Sequence, residues 1–511
     1  MKHIKKLASL LLVLVMVFAL ATTAFAEETT YSITINNSTA GHTYEAYQIF
    51  TGDLAEKDGA KILSNIVWGS GVSEAGQTAL GDAAAKAETL KTEADAKAFA
   101  KAVAPYLTTA AGSANTVTDG KYVISGLAAG YYLVKDQDDS LTGDNDSYTE
   151  YIIQVVGNVT ATPKSDVPEV QKKVKDINDS TDTTKTDWQD SADYDIGDSI
   201  PFQLKATLAD NVSSYTTYKV VFHDTLSKGL TYNNDAKVYI DGTETNGFTV
   251  TADGTTTLTV SCDDVKALGA GNSSVITVEY TAKLNENAVL GSAGNPNEVY
   301  LEYSNNPNKS ENGNNETGET PKDVVIVFTY KTIINKVDSE NAPLTGAAFK
   351  LEKLIKGKDG AAGTWTTVKE FTVDETTTSF TFSGLDDGQY KLTETKTPAG
   401  YNTIDPIYFV IEATPDATAD TPALTVLKAY LTDENGNKKT EVKDGETVNI
   451  DLGTVDLTAG SITTTVVNKS GSELPSTGGI GTTIFYVLGG VLVLAAVVLL
   501  VTKKRMSGAE K

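Results

Sequence analysis

Between its two apolar ends the chain is written in short alternating runs. Tyr31–Asn36, Tyr122–Ser125, Tyr151–Val156, Val275–Tyr280 and Lys391–Thr395 are rich in Val, Thr, Tyr and Ile, and Gly, Asn and Asp punctuate the sequence between such runs. A period of two puts successive side chains on opposite faces, so each run reads as a strand with one face buried. Many short strands with turn residues between them predict β-sandwiches. The stretch Ser73 to Leu107 breaks the pattern. It is rich in Ala, Lys and Glu, which favour helix, and it predicts a helical insertion in the first sandwich. A weak internal repeat supports more than one copy of the same unit. Gly126-Leu127-Ala128-Ala129-Gly130-Tyr131-Tyr132-Leu133 parallels Gly384-Leu385-Asp386-Asp387-Gly388-Gln389-Tyr390-Lys391-Leu392, each a tight turn feeding a strand.

The ends carry different information. Lys2, Lys5 and Lys6 precede the apolar stretch Leu10–Leu20, and Ala24-Phe25-Ala26 is a small-x-small site, so residues 1–26 read as a secretory signal peptide with the mature chain starting at Glu27. At the other end an apolar run of 22 residues, Ile480 to Val501, is long enough to cross a bilayer as a helix. Lys503, Lys504 and Arg505 in the tail 502–511 hold that end on the cytoplasmic side.

Composition narrows the function. A mature chain of this length suggests about three domains. Boundaries fall at the Pro-bracketed linker Pro163–Pro168 and near Asn305–Pro321, which is Asn-, Gly- and Glu-rich and reads as a long loop before the strand Val324–Tyr330. The divisions expected are 27–166, 167–330 and 331–470. The net charge of −25 argues against nucleic acid, whose phosphates need clustered Lys and Arg, and suits a self-repelling surface protein. One cysteine, Cys262, forbids an internal disulfide. Three histidines, with His42 and His223 far apart and His3 in the signal peptide, give poor support to a metal site or a triad. No metal and no cofactor are expected. The acidic segment Asp136–Asp146 has no compelling ligand spacing and reads as a solvated loop rather than a calcium site.

Some polar residues fall on apolar faces. In Val170-Gln171-Lys172-Lys173-Val174, Lys172 shares a face with Val170 and Val174, although a one-residue slip would exchange it for Lys173. Asn297 shares a face with Val299, Leu301 and Tyr303, and Asp224 follows an apolar strand. Farther on, Lys336 is in register with Ile334, Asn468 with Val466, and Glu394 with Tyr390 and Leu392. Burial lowers a lysine pKa and raises a carboxyl pKa. A neutral amine could then attack the Asn side-chain carbonyl while the carboxyl moves the protons, with ammonia leaving and an amide remaining. The sequence therefore predicts two self-formed cross-links, Lys172–Asn297 assisted by Asp224 and Lys336–Asn468 assisted by Glu394. Edge-strand lysines that merely block pairing are the alternative. In the first unit the turn equivalent to that before Glu394 leads to Lys135, its first strand has no lysine, and no bond is expected there.

These segments resemble known families. Lys336-Val337-Asp338, Pro343-Leu344-Thr345-Gly346 and Tyr390-x-Leu-x-Glu394-Thr395-x-x-Pro398-x-Gly400-Tyr401 resemble a collagen-adhesin B-type (Cna-type) domain. Lys172, Asp224 in Asp-Thr-Leu-x-x-Gly-Leu, and Asn297 in Asn-x-Val-x-Leu-x-Tyr resemble the isopeptide-forming second domain of Gram-positive fimbrial proteins. Leu474-Pro475-Ser476-Thr477-Gly478, followed by the apolar run and the basic tail, resembles a cell-wall sorting signal. The whole resembles a sortase-assembled major pilin. That resemblance implies a mostly β chain of three tandem immunoglobulin-like β-sandwich domains, the first with a helical insertion, and a C-terminal transmembrane helix. It also implies that a sortase cuts between Thr477 and Gly478 and joins Thr477 to a lysine at the base of another copy's first domain. Lys164 in Val159-Thr160-Ala161-Thr162-Pro163-Lys164 takes that place, with Thr162 where the family has Tyr and Val155 where it has Trp. Implied partners are pilin-polymerising and housekeeping sortases, other copies of the chain, minor tip and base pilins, and peptidoglycan. The alternative is a monomeric wall-anchored adhesin. The only catalysis expected is the chain's own single-turnover cross-linking.

Overall fold

The computed structural model describes residues 30–506 apart from 58–59, 150, 156–157, 164, 255, 311–315, 420, 441–452 and 472–479. The signal peptide, Lys164, and Leu474, Pro475, Thr477 and Gly478 of the sorting motif lie outside the described residues. The described strands form six sheets, which pair as three sandwiches in series, followed by a helix.

In the first sandwich a three-stranded sheet, Lys121–Leu127, Tyr31–Asn36 and Val159–Ala161, faces a five-stranded sheet built on Tyr44–Lys57 and Tyr131–Asp136. Ile33 and Ile35 meet Tyr44, Tyr132 and Val134 between the sheets. The outer face of the larger sheet is covered as well. The helices Glu74–Leu80, Ala83–Thr89 and Glu93–Val103 pack Phe99 and Val103 onto Phe50, Tyr131 and Leu133. The rings of Phe50 and Phe99 stack at 5.4 Å. Every residue of Tyr131–Asp136 is therefore buried, and the alternation that marks a half-buried strand is lost there. The third helix opens with a capping box, in which the Thr92 hydroxyl accepts from the Asp95 N–H and the Asp95 carboxylate accepts from the Thr92 N–H.

The second sandwich is larger. Glu169–Val174 lies at the edge of one sheet, beside Ser199–Thr207 and Val275–Leu284. Val220–Leu226 and Asn295–Ser304 are central neighbours in the other, and Asp323–Phe328 flanks them. Phe202, Leu204, Phe222, Val278 and Leu301 fill the space between. In the third sandwich the first strand, Tyr330–Val337, pairs in parallel with the last, Ser461–Val467. The facing sheet is built on Ala348–Ile355, Gly388–Lys396 and Ile407–Pro415. A helix, Ile480–Met506, follows, and it runs beyond the expected Val501. It is long and apolar enough to cross a membrane.

Two expected loops are not free. The acidic segment keeps most of its side chains exposed, but its end, Gly143 to Asp146, packs on the second sandwich. The Asn145 N–H donates to Glu319 O (2.7 Å), the Glu319 N–H to Gly143 O (2.7 Å), and the Tyr303 hydroxyl to Asp146 O (2.8 Å). In the other segment Asn305, Asn306 and Ser310 are buried, and Thr317–Glu319 forms a strand. Polar composition reads as solvation in a sequence, but here the polar groups satisfy one another across a seam between sandwiches.

The repeated turn is left-handed at its first glycine in both copies, with φ +76° at Gly126 and +77° at Gly384. A side chain at Gly126 would meet open space, whereas one at Gly384 would lie 2.6–2.7 Å from three Ile196 side-chain atoms. Gly126→Ala is expected to cost about 1 kcal/mol of backbone strain, and Gly384→Ala about 2–3 kcal/mol more through overpacking. Thermal unfolding of the two variants measures the difference, and equal losses would contradict it.

Candidate functional sites

Two lysines reach the cores by the logic of the pleat. In Glu169–Val174, Lys172 and Val174 are both fully buried, and Lys172 is held from outside by its own N–H, which donates to the Asp323 carboxylate at 2.6 Å. Lys173 points the other way, is partly exposed, and pairs with Asp190. The Lys172 ammonium donates to Asp224 Oδ2 at 2.7 Å and to the Tyr280 hydroxyl at 3.1 Å. That hydroxyl donates to Asp224 Oδ2 at 2.7 Å and accepts from Asn297 Nδ2 at 2.7 Å. Tyr280 thus brings together the three residues singled out in the sequence. Asp224 and Asn297 come from neighbouring strands of one sheet, where Leu226 pairs with Asn297 and Asp224 with Val299. Lys172 comes from the other sheet.

The electrostatics follow from burial. Loss of water pushes the Lys172 amine below its usual range, against the pull of Asp224. It pushes the Asp224 carboxyl up, against the pull of Lys172. Both shifts favour a neutral amine beside a protonated acid. Asp224 Oδ1 and Asn297 Oδ1 are buried with no hydrogen-bond partner. A proton on Asp224 could serve both orphan oxygens at once.

The third sandwich has a different arrangement of the same chemistry. Lys336 is fully buried on the first strand, and Asn468 is fully buried just past the last one. The strands are parallel neighbours, with Lys336 opposite Val466 and the Asn468 N–H donating to Val337 O at 3.0 Å. Glu394 rises from the opposing sheet. It accepts from Asn468 Nδ2 on both oxygens, at 3.0 and 3.1 Å, and from the Thr397 hydroxyl and the Ile404 N–H. Lys336 donates instead to two carbonyls, Val337 O at 2.8 Å and Val466 O at 3.0 Å. Burial lowers its pKa to about 8, with Glu394 opposing. Asn468 Oδ1 is buried and unpartnered, like Asn297 Oδ1.

In the first sandwich the sequence comparison needs a correction. Counting from Gly126 and Gly384, the residue matching Glu394 is Asp136, not Lys135. Lys135 pairs with Asp138 at 2.8 Å. Asp136 is buried, as Glu394 is, but its partners are His42 Nδ1 at 2.7 Å and the Thr149 N–H at 2.6 Å. Tyr44 stacks on the His42 ring at 5.3 Å. No lysine pairs with Asp136 among the described residues.

Sequence reasoning missed Tyr280 and the His42–Asp136 pair. Tyr280 ends a run in which Ile276, Val278 and Tyr280 share one face. A tyrosine hydroxyl on such a face needs a buried partner, and that was the available signal.

Comparison with known proteins matches three parts of the chain. Residues 196–307 match the Gram-positive pilin backbone subunit 2, Cna-B-like domain. Residues 331–424 match a prealbumin-like fold domain, and residues 466–507 match the LPXTG cell wall anchor motif. The chain is 28% identical over 446 residues to the trypsin-resistant surface T6 protein of Streptococcus pyogenes serotype M6, covering 76% of this chain and 77% of that one. The solved T6 backbone pilin has a TM-score of 0.56 at 19% identity, covering 88% of this chain and all of that one. The full-length major pilin SpaD of Corynebacterium diphtheriae has a TM-score of 0.50 at 19% identity, covering 88% and 99%. These two structural likenesses are likenesses of fold.

The Lys172 site makes a stability prediction. Asp224→Ala leaves the buried Lys172 amine without its acid and is expected to cost about 3–5 kcal/mol in denaturant unfolding. Adding Lys172→Met should restore the part of that loss that comes from the unpaired buried amine, though not any part that comes from a lost cross-link. A double variant no more stable than Asp224→Ala would overturn this account.

Proposed function

We infer that this chain, a homologue of the Gram-positive backbone pilins, is the structural shaft subunit of a covalently polymerised pilus anchored in the cell wall. The observation that carries the reading is that one chain holds both a pilin-backbone domain and a wall-anchor motif. The apolar helix after the motif fits a temporary membrane hold before sorting.

Assembly follows from the motif chemistry. A sortase cysteine attacks the Thr477 carbonyl, the Thr477–Gly478 bond breaks, and a thioester forms. The Lys164 amine of another copy displaces the cysteine, and an amide remains. Leu474 and Pro475 are the residues a sortase reads upstream of the cut. A head-to-tail contact of this kind does not close, so it grows a filament. The final copy passes to peptidoglycan. In wall extracts, high-mass ladders should disappear in Lys164→Ala while the single anchored chain persists. A ladder that survives would remove Lys164 from this role, and a single band in wild type would favour the monomeric adhesin.

The cross-links are self-made. In the second sandwich the neutral Lys172 amine attacks the Asn297 side-chain carbonyl. The N–C bond forms, Asp224 moves the protons, Tyr280 orients the partners, and the Asn297 side-chain nitrogen leaves as ammonia. Lys336, Asn468 and Glu394 repeat the exchange in the third. Each bond closes a loop of more than a hundred residues, which by analogy with a disulfide contributes roughly 4–5 kcal/mol through chain entropy. The intact mass of the ectodomain should fall short of the sequence mass by two ammonias. Lys172→Ala and Lys336→Ala should each recover one, as should Asp224→Ala and Glu394→Ala. A full sequence mass in wild type would rule out both bonds.

A further inference from the structure

The second and third sandwiches meet at a junction whose charges do not balance. Lys353, on the strand Ala348–Ile355 of the third sandwich, is 2% exposed. Its ammonium sits 2.6 Å from Asp195 Oδ2 and 3.6 Å from Asp179 Oδ2 of the second sandwich. It also lies 2.8 Å from Asp386 Oδ1 of its own. Backbone groups close the seam around it. The Asp386 N–H donates to Asp195 Oδ1 (3.0 Å), the Asp387 N–H to Asp193 Oδ2 (3.1 Å), and the Ile196 N–H to Gly384 O (3.0 Å).

The groups facing this lysine come from both sides. From the second sandwich come Asp176, Asp179, Asp193, Asp195, Asp198 and Lys185, the last donating to the Tyr194 hydroxyl at 3.0 Å. From the third come Asp386 and Asp387, with the neutral hydroxyls of Tyr330 and Tyr390. Seven carboxyls thus face two lysines, Lys353 and Lys185. Asp193 and Asp386 are buried and the other five half-buried, so such an excess of negative charge is costly to keep. Lys353 already occupies the place a bound cation would take among Asp179, Asp195 and Asp386. The remaining means of neutralisation is proton uptake.

We propose that this junction is a proton-linked latch: the second and third sandwiches dock into one rod as carboxyls at the seam take up protons, and loosen as those protons leave. Burial, with neighbouring carboxylates, pushes Asp176 up to about 7 and Asp198 to about 6. Burial also pushes Asp387 up to about 6, and raises Asp193 and Asp386 well above the usual carboxylate range. Burial disfavours charge on Lys353, but Asp386 and Asp195 more than offset this and hold it protonated. Exposed on undocking, each Asp returns toward its ordinary 3.8. A pKa raised in the docked state means that docking binds protons. Docking therefore strengthens as pH falls from about 7 and is fully strengthened only below the exposed value.

The test is hydrogen exchange of the ectodomain, residues 27–477, expressed as protection factors to remove the intrinsic pH dependence. Peptides covering residues 194–198 and 384–389 report the junction, and peptides covering residues 276–282 report the sandwich core. Asp198 and Asp387, each raised to about 6, are each expected to raise junction protection about tenfold between pH 7.5 and pH 5, and Asp176 by more, with the core unchanged. In Asp198→Asn/Asp387→Asn, which mimics the protonated pair, protection at pH 7.5 should already be high and the pH response about a hundredfold smaller. Asp198→Asn alone, at a partly exposed position, is the milder variant and should remove about a tenfold share. Junction protection that does not change with pH in wild type, or that keeps its full response in the Asn variants, overturns the latch. So does an excess of calcium chloride at pH 7.5 that reproduces the acid response, because the seam would then be a cation site.

Discussion

A lysine ammonium inside an apolar sandwich is the constraint on which the rest of this structure depends. Moving such an ion out of water costs several kcal/mol even after relaxation. The chain does this at Lys172 and Lys336, both fully buried. Neither site is a settled ion pair. Lys172 has one carboxylate, but that carboxyl is itself pushed toward its neutral form. Lys336 has two backbone carbonyls, which cannot neutralise it. Each site also leaves an Asn carbonyl oxygen without a donor. An unmet buried acceptor costs about 1–3 kcal/mol. The free side chains are therefore poor final states. An amide between Lys and Asn removes the charge and turns two awkward groups into one.

The first sandwich shows what the same frame does without the lysine. Asp136 stands at the position of Glu394, at the same distance from the repeated left-handed glycine. Its oxygens are taken by His42 and by the Thr149 N–H, and the imidazole is sandwiched against Tyr44. The acid is fully satisfied by ordinary hydrogen bonds, so nothing there calls for chemistry. The helical insertion supplies instead a second apolar layer on the outer face of the sheet. All three units have packed apolar cores, and the second and third also bury an amine near an amide.

Much of this was legible in the sequence, for physical reasons that also mark where legibility ends. Alternation fixes which face a residue takes, so Lys172, Asn297, Lys336 and Asn468 could be assigned inward from their neighbours alone. Alternation does not say what lies across the core, so Tyr280 stayed hidden although its own strand points it inward. A one-residue miscount in a repeat exchanges one face for the other, and this separates Lys135 from the equivalent Asp136. The seams were the least legible part. Ser147, Asn305 and Asp386 look like loop residues because nothing local predicts burial against another sandwich.

The order of the pieces has a mechanical consequence. Lys164 precedes the second sandwich closely in sequence and Thr477 follows the third, so in the proposed polymer the pull between neighbouring copies would run through those two and bypass the first. Within the second, Lys172 and Asn297 belong to facing sheets, and a bond between them ties one sheet to the other. Within the third, Lys336 lies near the end of the first strand and Asn468 just past its parallel neighbour, the last, and a bond there would join the two strands at the end where force leaves. A parallel pair pulled from opposite ends is loaded in shear, and the amide lies across that shear. The backbone crosses from one sandwich to the other at Phe328-Thr329-Tyr330, where the Thr329 hydroxyl donates to Leu385 O at 3.1 Å. If both proposed cross-links form, the polar seam around Lys353 joins two covalently fastened bodies.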